Sequence, residues 1–286
     1  MAKRDDMKSE QLARREAGTF GRLLRDWRRK RGVSQLDLAL ASDVSQRHIS
    51  FLESGRSQPS RDMVLRLATV LDLPLREHNV MLLAAGFAQL YSAGDLADPD
   101  MRQVRKALDC MLRQQEPYPA VVVDRHWNML MGNDASGRLM TWLVDPPIVQ
   151  SVPGPDGLLN LLRLLFHPNG IRPFITNWHE VAHHMIERLH REAMTDGQYD
   201  TTMTLLDELL SYPDVPRTWH TANYEAWQAP LLTIELAKAD LVLRFFTIIT
   251  TLGTPHDITL QELRLECFFP ADAATEHNIK AICSYR

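Results

Sequence analysis

The sequence predicts a two-domain protein, in which an all-α N-terminal domain of five helices precedes an α+β domain with an antiparallel sheet. Apolar residues recur at helical spacing from residue 17 to residue 86, between turns marked by Ser, Gly and Pro. Residues 101–286 instead mix helical patterns with short β-branched and aromatic stretches. The 286 residues suffice for both domains, a flexible charged arm over residues 1–16 and a linker over residues 87–100.

The helices of the N-terminal domain carry recognisable start and stop signals. Ser34 and Ser45 are expected to cap the second and third helices, and Gly32 is expected to end the first. The predicted helices are residues 20–30, 34–41, 46–53, 60–71 and 74–86. Since none of them would be stable alone, they must share one small core.

The second domain is expected to begin with a helix and a β-hairpin and to end in strands, with helices between them. Its predicted helices are residues 101–115, 133–143, 158–166, 178–192 and 202–210. Its predicted strands are residues 119–124, 127–131, 229–237, 241–251 and 260–268, and residues 145–157 are expected to form a loop.

The composition of the sequence indicates the cellular compartment of the protein. The sequence has no apolar run long enough to cross a membrane, and the charged residues 1–16 lack the apolar centre of a signal peptide. Its three cysteines are widely spaced and odd in number, which is typical of a reducing compartment. We therefore expect a cytoplasmic protein without membrane insertion.

The charge is distributed unevenly along the chain. Residues 1–86 carry 16 Lys and Arg against 11 Asp and Glu, whereas residues 87–286 carry 16 against 25. A basic small domain next to an acidic large one suggests that only the first approaches a polyanion. Charge alone would equally suit an ordinary solvated surface.

The third predicted helix carries side chains suited to reading base pairs. A three-residue turn, Ser42-Asp43-Val44, can place this helix in the major groove of double-stranded DNA. Gln pairs well with adenine and Arg with guanine. The candidate DNA-contacting residues are Ser45, Gln46, Arg47, His48 and Ser50 for bases, and Gln35, Arg31 and Arg56 for phosphates. The alternative is that these polar side chains are merely solvated.

Residues Phe20 to Pro74 resemble the XRE family, the lambda-repressor and Cro type of helix-turn-helix domain. The motifs that carry the resemblance are Ser34-Gln35, Glu53-Ser54-Gly55-Arg56 and Pro59-Ser60, each at its expected offset. The resemblance implies that Glu53 is a structural residue. It implies DNA contacts at the matching positions Gln35, Gln46, Arg47 and Ser50.

The second domain resembles the MmyB-like ligand-binding domain over about residues 101–252. The resemblance is carried by the run from Glu116 to Asp124, and then by Trp127-Asn128, Asn133, Trp178, Ala182, Leu189, Leu209-Leu210 and Trp219. It implies a PAS-like sensor domain that holds a fatty-acid-like ligand.

Apolar and aromatic side chains of the second domain give this ligand modest support, because small-molecule pockets are mostly apolar. The same side chains would equally serve as core. The candidate ligand-binding residues are Tyr118, Trp127, Met129, Met131, Trp178, Met185, Trp219 and Phe246, with Arg172 for a carboxylate head group.

Residues His179-Glu180-Val181-Ala182-His183 spell H-E-x-x-H, in which two histidines one helical turn apart can chelate zinc. The extended motif fails, because Ile186 and Leu189 stand where a glycine and a third histidine are needed. A zinc metallopeptidase is therefore a remote alternative, and we expect no metal, no other cofactor and no enzymatic activity.

The leading hypothesis is a homodimeric regulator that binds a DNA operator and senses a small apolar ligand. Two DNA-reading domains can meet two half-sites about one helical turn apart. The main alternative keeps the DNA binding and gives the second domain only dimerisation or protein partners.

Overall fold

The computed structural model describes residues 19–154, 157–195, 201–215 and 231–284. They fall into two compact units: one contains the chain up to Ala93 together with Pro255–Gln261, and the other contains Gly94–Thr254 and the chain from Glu262. The predicted arm of residues 1–16 lies outside the described residues. Among the described residues, no helix has the length and apolarity needed to span a membrane.

The N-terminal unit contains the five predicted helices. They are α1 (19–30), α2 (Gln35–Ala41), α3 (Gln46–Glu53), α4 (Arg61–Val70) and α5 (Leu75–Ala84). Serine side chains at positions 34, 45 and 60 accept backbone N–H groups and cap α2, α3 and α4. The helices bury one apolar cluster, whose larger members include Phe20, Leu24, Trp27, Leu38, Ile49, Leu52, Leu67, Met81 and Leu82.

The turn between α2 and α3 depends on a left-handed residue. Asp43 has a φ of 54°, and the Val44 N–H donates to the Ala39 carbonyl oxygen over 3.0 Å. Asp tolerates this region better than most residues do, because its short polar side chain can bond locally. The turn thereby sets the angle between the two helices.

Close backbone approach sets the distance between α1 and the end of α3. Gly21 lies against the Leu52 and Glu53 carbonyl groups, and a Cβ atom there would lie 2.8 Å from the Glu53 carbonyl oxygen. Only glycine allows this contact without a backbone shift.

A segment distant in sequence completes the N-terminal unit. Helix α5 has Pro74 at its N-cap and no side-chain cap of its own, and its Leu75 N–H donates to the Gln261 side-chain oxygen over 2.8 Å. The Ser92 hydroxyl donates to the Asp257 carboxylate over 2.6 Å, and the Ile258 N–H donates to the Ser92 carbonyl oxygen. Residues 255–261, which connect two strands of the sheet, therefore act as part of this unit.

The first half of the predicted linker is also tied to α5. The buried Asn79 side chain accepts the N–H groups of Leu90 and Tyr91 and donates to the Tyr91 carbonyl oxygen. A short 3₁₀ turn (Pro99–Met101) then leads into the second unit.

The second unit is an antiparallel five-stranded sheet flanked by helices, which agrees with the predicted α+β class and is compatible with a PAS-like fold. Strands β1 (Ala120–Val123), β2 (Met129–Gly132), β3 (Ile234–Lys238), β4 (Leu241–Thr250) and β5 (Arg264–Pro270) lie in the order β2-β1-β5-β4-β3. Hence the N-terminal hairpin and the C-terminal strands join at the β1–β5 pair, where Val121 is opposite Glu266.

The helices of the second unit are α6 (Arg102–Gln115), α7 (Asp134–Leu143), α8 (Pro146–Gln150), α9 (Leu161–Phe166), α10 (Trp178–Thr195), α11 (Thr201–Ser211) and α13 (Ala273–Ser284). Helix α12 (Ile258–Glu262) lies, except for its last residue, in the segment that belongs to the N-terminal unit. A 3₁₀ turn covers Arg172–Phe174. The sheet and helices bury a second apolar cluster that includes Val121, Leu139, Phe166, Trp178, Ile186, Leu206, Phe245 and Ile279.

Several predictions for the second unit were wrong in type or position. The unit was expected to end in strands, but helix α13 follows β5. The expected loop at 145–157 contains α8, because Pro146 occupies the first helical turn, where proline needs no N–H partner. The expected strand at 260–268 begins only at Arg264, because residues 258–262 are helical. The expected strand at 229–237 begins at Ile234 within the described residues.

We predict that Gly21→Ala lowers the free energy of unfolding of the N-terminal unit by about 1–3 kcal/mol, because α1 and α3 must separate to admit the methyl group. Urea unfolding with segment-resolved hydrogen exchange measures this change. The matched control is Gly137→Ala in α7, where a Cβ atom meets nothing within 4 Å. The control should be neutral or should stabilise by up to about 1 kcal/mol, and equal losses in both variants would contradict the close-approach argument.

Candidate nucleic-acid interface

Helix α3 presents its N-terminal turn to solvent. Its N-cap residue, Ser45, has extended backbone angles and its side chain accepts the His48 N–H over 3.2 Å. Ser45, Gln46 and Arg47 are exposed, whereas His48 and Ser50 are half-buried. The five predicted base-reading residues therefore lie together on the first turn and a half of one capped helix.

The other end of α3 is anchored by a buried carboxylate. The Glu53 side chain is 1% exposed and accepts two hydrogen bonds from the Arg28 guanidinium, over 2.6 and 3.2 Å. The Gln35 amide nitrogen donates to the same carboxylate over 2.8 Å, and Arg25 lies 3.5 Å from it. Arg28 also donates to the Val33 carbonyl oxygen. One carboxylate thus connects α1, α2 and α3.

The charge state of Glu53 follows from these contacts. Burial by itself raises the pKa of this carboxyl, but the hydrogen bonds from Arg28 and Gln35, with the charges of Arg28 and Arg25, outweigh it and lower the pKa. Glu53 is therefore ionised at neutral pH and serves as the counter-ion of two arginines. This agrees with the structural role that the family resemblance implied.

Gln35, the predicted phosphate contact, is the first residue of α2 and is half-buried. Ser34 and Asp37 form a capping box at the start of α2, in which each side chain accepts the backbone N–H of the other residue. The Gln35 amide is held by Glu53 at one of its N–H groups. Because an amide nitrogen has two hydrogens, the other can still meet a phosphate.

The two arginines expected to contact phosphates differ in their surroundings. Arg31 donates to the carbonyl oxygens of Leu71, over 2.9 Å, and Asp72, so its guanidinium ties α1 to the end of α4. Arg56 is exposed and lies with its guanidinium carbon 5.9 Å from the Phe51 ring centroid. Arg56 is therefore the better placed of the two for a phosphate.

Sequence reasoning gave no individual role to three residues of this region, although Arg25 and Arg28 match the helix-turn-helix family pattern. Arg25 and Arg28 are assigned by their contacts to Glu53, and Phe51 lies between two arginine side chains. The four-residue spacing from Arg47 to Phe51 within one helix was a signal that could have been used.

Most of the candidate ligand-binding residues in the described part of the second unit lie in its apolar core or pack against it. Trp127 and Trp178 are buried in the core, and Tyr118, Met129 and Met185 pack against it. Met131 is half-buried in β2, and Phe246 stacks on Phe269 with ring centroids 5.6 Å apart. Trp219 lies outside the described residues.

Arginine side chains contact two of the candidates, Trp178 and Trp127, and one of these arginines, Arg172, is itself a candidate. The Arg172 guanidinium pairs with Asp214 over 2.6 Å, donates to the Pro213 carbonyl oxygen and lies over the Trp178 ring. The Arg188 guanidinium lies 4.6 Å from the Trp127 ring centroid. The Arg172 guanidinium therefore stabilises the turn at residues 213–214.

A mostly apolar groove of about 310 Å³ does open beside β2, α7 and α8. Met129 is the predicted ligand residue that reaches it. Its other lining residues are Ser136, Gly137, Met140, Thr141, Val144, Pro146, Val149, Gln150 and Leu159. The volume falls at the lower end of the range for small-molecule sites.

The H-E-x-x-H motif lies at the start of α10. His179 and Glu180 are exposed, His183 is half-buried, and Glu180 accepts a hydrogen bond from the Asn177 amide. Among the described residues, no three His, Cys, Asp or Glu side chains are grouped so that they could hold a metal ion.

The capped α2 and α3 helices and their exposed polar turn define a helix-turn-helix protein that binds DNA. Comparison with family models agrees: residues 24–78 match the helix-turn-helix model, which is of XRE type. Residues 104–281 match the MmyB-like transcription regulator ligand binding domain. The chain belongs to this family of transcription regulators, and it combines a DNA-binding domain with a ligand-binding domain.

Solved structures resemble part of this chain. The restriction-modification controller protein C.AhdI from Aeromonas hydrophila is 35% identical over 22% of this chain and 94% of its own, with a TM-score of 0.21. Two structures of the clp gene regulator ClgR from Corynebacterium glutamicum also match. One is 31% identical over 25% of this chain and 90% of its own, with a TM-score of 0.22. The other is 25% identical over 36% and 95%, with a TM-score of 0.23. The comparison with curated proteins finds no match.

We predict that Glu53→Gln lowers the free energy of unfolding of the N-terminal unit by about 2–3 kcal/mol at neutral pH, since it removes the charge that Arg28 and Arg25 face. The folded-state pKa of Glu53 is lowered, so its stabilisation is present above the unfolded-state pKa and is lost as pH falls through the folded-state pKa. Urea unfolding across a pH series should show that the difference in free energy of unfolding between the wild type and Glu53→Gln shrinks as the pH becomes acidic. A gap of constant size from neutral to acidic pH would contradict this assignment.

Proposed function

We propose that this regulator binds DNA sequence-specifically by laying α3 in the major groove. The observation that carries the proposal is the exposed first turn of α3, where Gln46 and Arg47 stand on a helix anchored at its far end through Glu53. A rigid helix with an exposed amide and an exposed guanidinium side chain at its start suits the recognition of base edges. Gln35 and Arg56 supply phosphate contacts on either side of it.

We further propose that the protein acts as a homodimer on two half-sites. A single helix of eight residues, Gln46–Glu53, reaches only a few base pairs. Two copies about one helical turn apart would double the contacts and bring the binding into the range of specific regulators. Light scattering of the protein with and without a selected duplex tests this stoichiometry.

We predict that Arg47→Ala costs about 1–3 kcal/mol in DNA-binding free energy and removes the preference at one base pair of each half-site. Gln35→Ala should instead weaken binding to all duplexes by a similar factor, because a phosphate contact carries no base information. Selection from a randomised duplex pool, followed by titration of single-base variants of the selected duplex, measures both effects.

The two variants are controls for each other, since both remove one side chain from the same surface. Uniform weakening by Arg47→Ala, or a changed base preference in Gln35→Ala, would reverse the assigned roles. If the wild-type protein selects no duplex at any salt concentration, the proposed function itself fails.

We also propose that the ligand-binding domain takes a small apolar molecule such as a fatty acid, in the groove next to β2. Met129, Met140, Val144, Val149 and Leu159 make this groove mostly apolar. Methionine side chains adapt to irregular apolar ligands, and an acyl chain needs few directional contacts. Burying each methylene contributes about 0.8 kcal/mol, so chain length alone can determine affinity.

We predict that each methylene added to a saturated fatty acid tightens binding about fourfold until the groove is filled. The variant Val149→Trp should abolish this binding by occupying the groove, whereas Met203→Trp, on the exposed face of α11, should leave it unchanged. Native mass spectrometry and titration with a fatty-acid series measure both outcomes.

If the wild-type protein neither carries a bound fatty acid nor binds one on titration, the alternative is favoured in which the second domain serves dimerisation or protein partners. Equal binding by Val149→Trp and the wild type would instead place the ligand elsewhere in the domain.

A further inference from the structure

Phe51 occupies an unusual position for an aromatic residue of a small helical unit. It lies on α3 and is half-buried, yet it belongs neither to the apolar cluster of the N-terminal unit nor to the described residues that pack against that cluster. The inward positions of the same helix are taken by Ile49 and Leu52, both fully buried. The ring is therefore not needed to fill the core.

Two guanidinium groups lie against the Phe51 ring. The guanidinium carbon of Arg47 is 5.1 Å from the ring centroid, and that of Arg56 is 5.9 Å from it. Both distances are within the range of cation–π contacts. Arg47 comes from the turn of α3 that faces the bases, and Arg56 comes from the loop that follows the helix.

The backbone of Phe51 also holds the loop that carries Arg56. Its carbonyl oxygen accepts the N–H groups of Arg56, over 2.8 Å, and Ser57, over 3.2 Å. Gly55 allows this closure because it has a φ of 69°, in the left-handed region. The Phe51 ring and carbonyl group together fix the positions of Arg47 and Arg56 relative to each other.

We infer that Phe51 is a positioning residue for DNA recognition, which holds the Arg47 and Arg56 guanidinium groups in place before DNA arrives. A free arginine side chain samples many rotamers and loses them on binding, so a side chain already held against a ring loses less. The inference rests on the proposed role of α3 in the major groove. It adds a specificity determinant that itself makes no hydrogen bond to a base.

The test compares Phe51→Leu, which keeps an apolar side chain, with Phe51→Tyr, which keeps the ring. On a duplex selected with the wild-type protein, Phe51→Leu should weaken binding about three- to tenfold and flatten the preference at the base pair that Arg47→Ala also affects. Phe51→Tyr should restore both the affinity and the preference. The thermal unfolding midpoint of the N-terminal unit should be the same in all of them.

A double-mutant cycle separates positioning from direct contact. In a protein that already carries Arg47→Ala and Arg56→Ala, adding Phe51→Leu should have no further effect, because there is nothing left to position. Full additivity would overturn the inference and would indicate that the ring contacts DNA itself. A lowered unfolding midpoint in Phe51→Leu that Phe51→Tyr does not share would overturn it in favour of a packing role. If the wild-type protein selects no duplex, the proposed DNA-binding function fails, and the inference that rests on it fails with it.

Discussion

The DNA-binding unit depends on one buried carboxylate. Glu53 is the last residue of α3, and its two oxygens accept hydrogen bonds from the Arg28 guanidinium and the Gln35 amide. A buried charge is stable only when it is paired and hydrogen-bonded, and this one is both. Because its partners come from the first and second helices, the network allows one arrangement of the three. The exposed first turn of α3 can be polar and poorly packed, since the far end of the helix determines its direction.

The five helices of the N-terminal unit could be predicted from the sequence because their signals are local, whereas the inclusion of residues 255–261 could not. Ser34, Ser45 and Ser60 cap helices three residues ahead of their bonding partners, and Gly32 ends a helix at its own position. The exposure of the first residues of α3 also follows from their places on a short capped helix. The role of Arg31 could not be predicted, because its carbonyl partners, Leu71 and Asp72, lie about forty residues away.

The second unit was less predictable, for the reason that its decisive contacts join distant residues. The class and the hairpin follow from local patterns, but the pairing of β1 with β5 joins residues about 145 positions apart, as in Val121 and Glu266. A proline such as Pro146 is as common in loops as in the first turn of a helix. Only tertiary packing decides between these two conformations, and here the residue starts α8. Aromatic residues such as Trp127 and Trp178 suit a core and a pocket equally, and the structure assigns both to the core.

The N-terminal unit is discontinuous in the chain, and this affects how the protein can be made and divided. The Leu75 N–H is capped by the Gln261 side chain, and the Ser92 hydroxyl bonds to Asp257, so both contacts join residues that are far apart in the chain. During synthesis the DNA-binding unit can reach its final form only after the ribosome has passed residue 261, long after its own five helices have emerged. A gene fragment cut within the linker would encode those helices but leave the start of α5 uncapped. Any chimera that grafts this unit onto another sensor must therefore bring the β4–β5 connection with it.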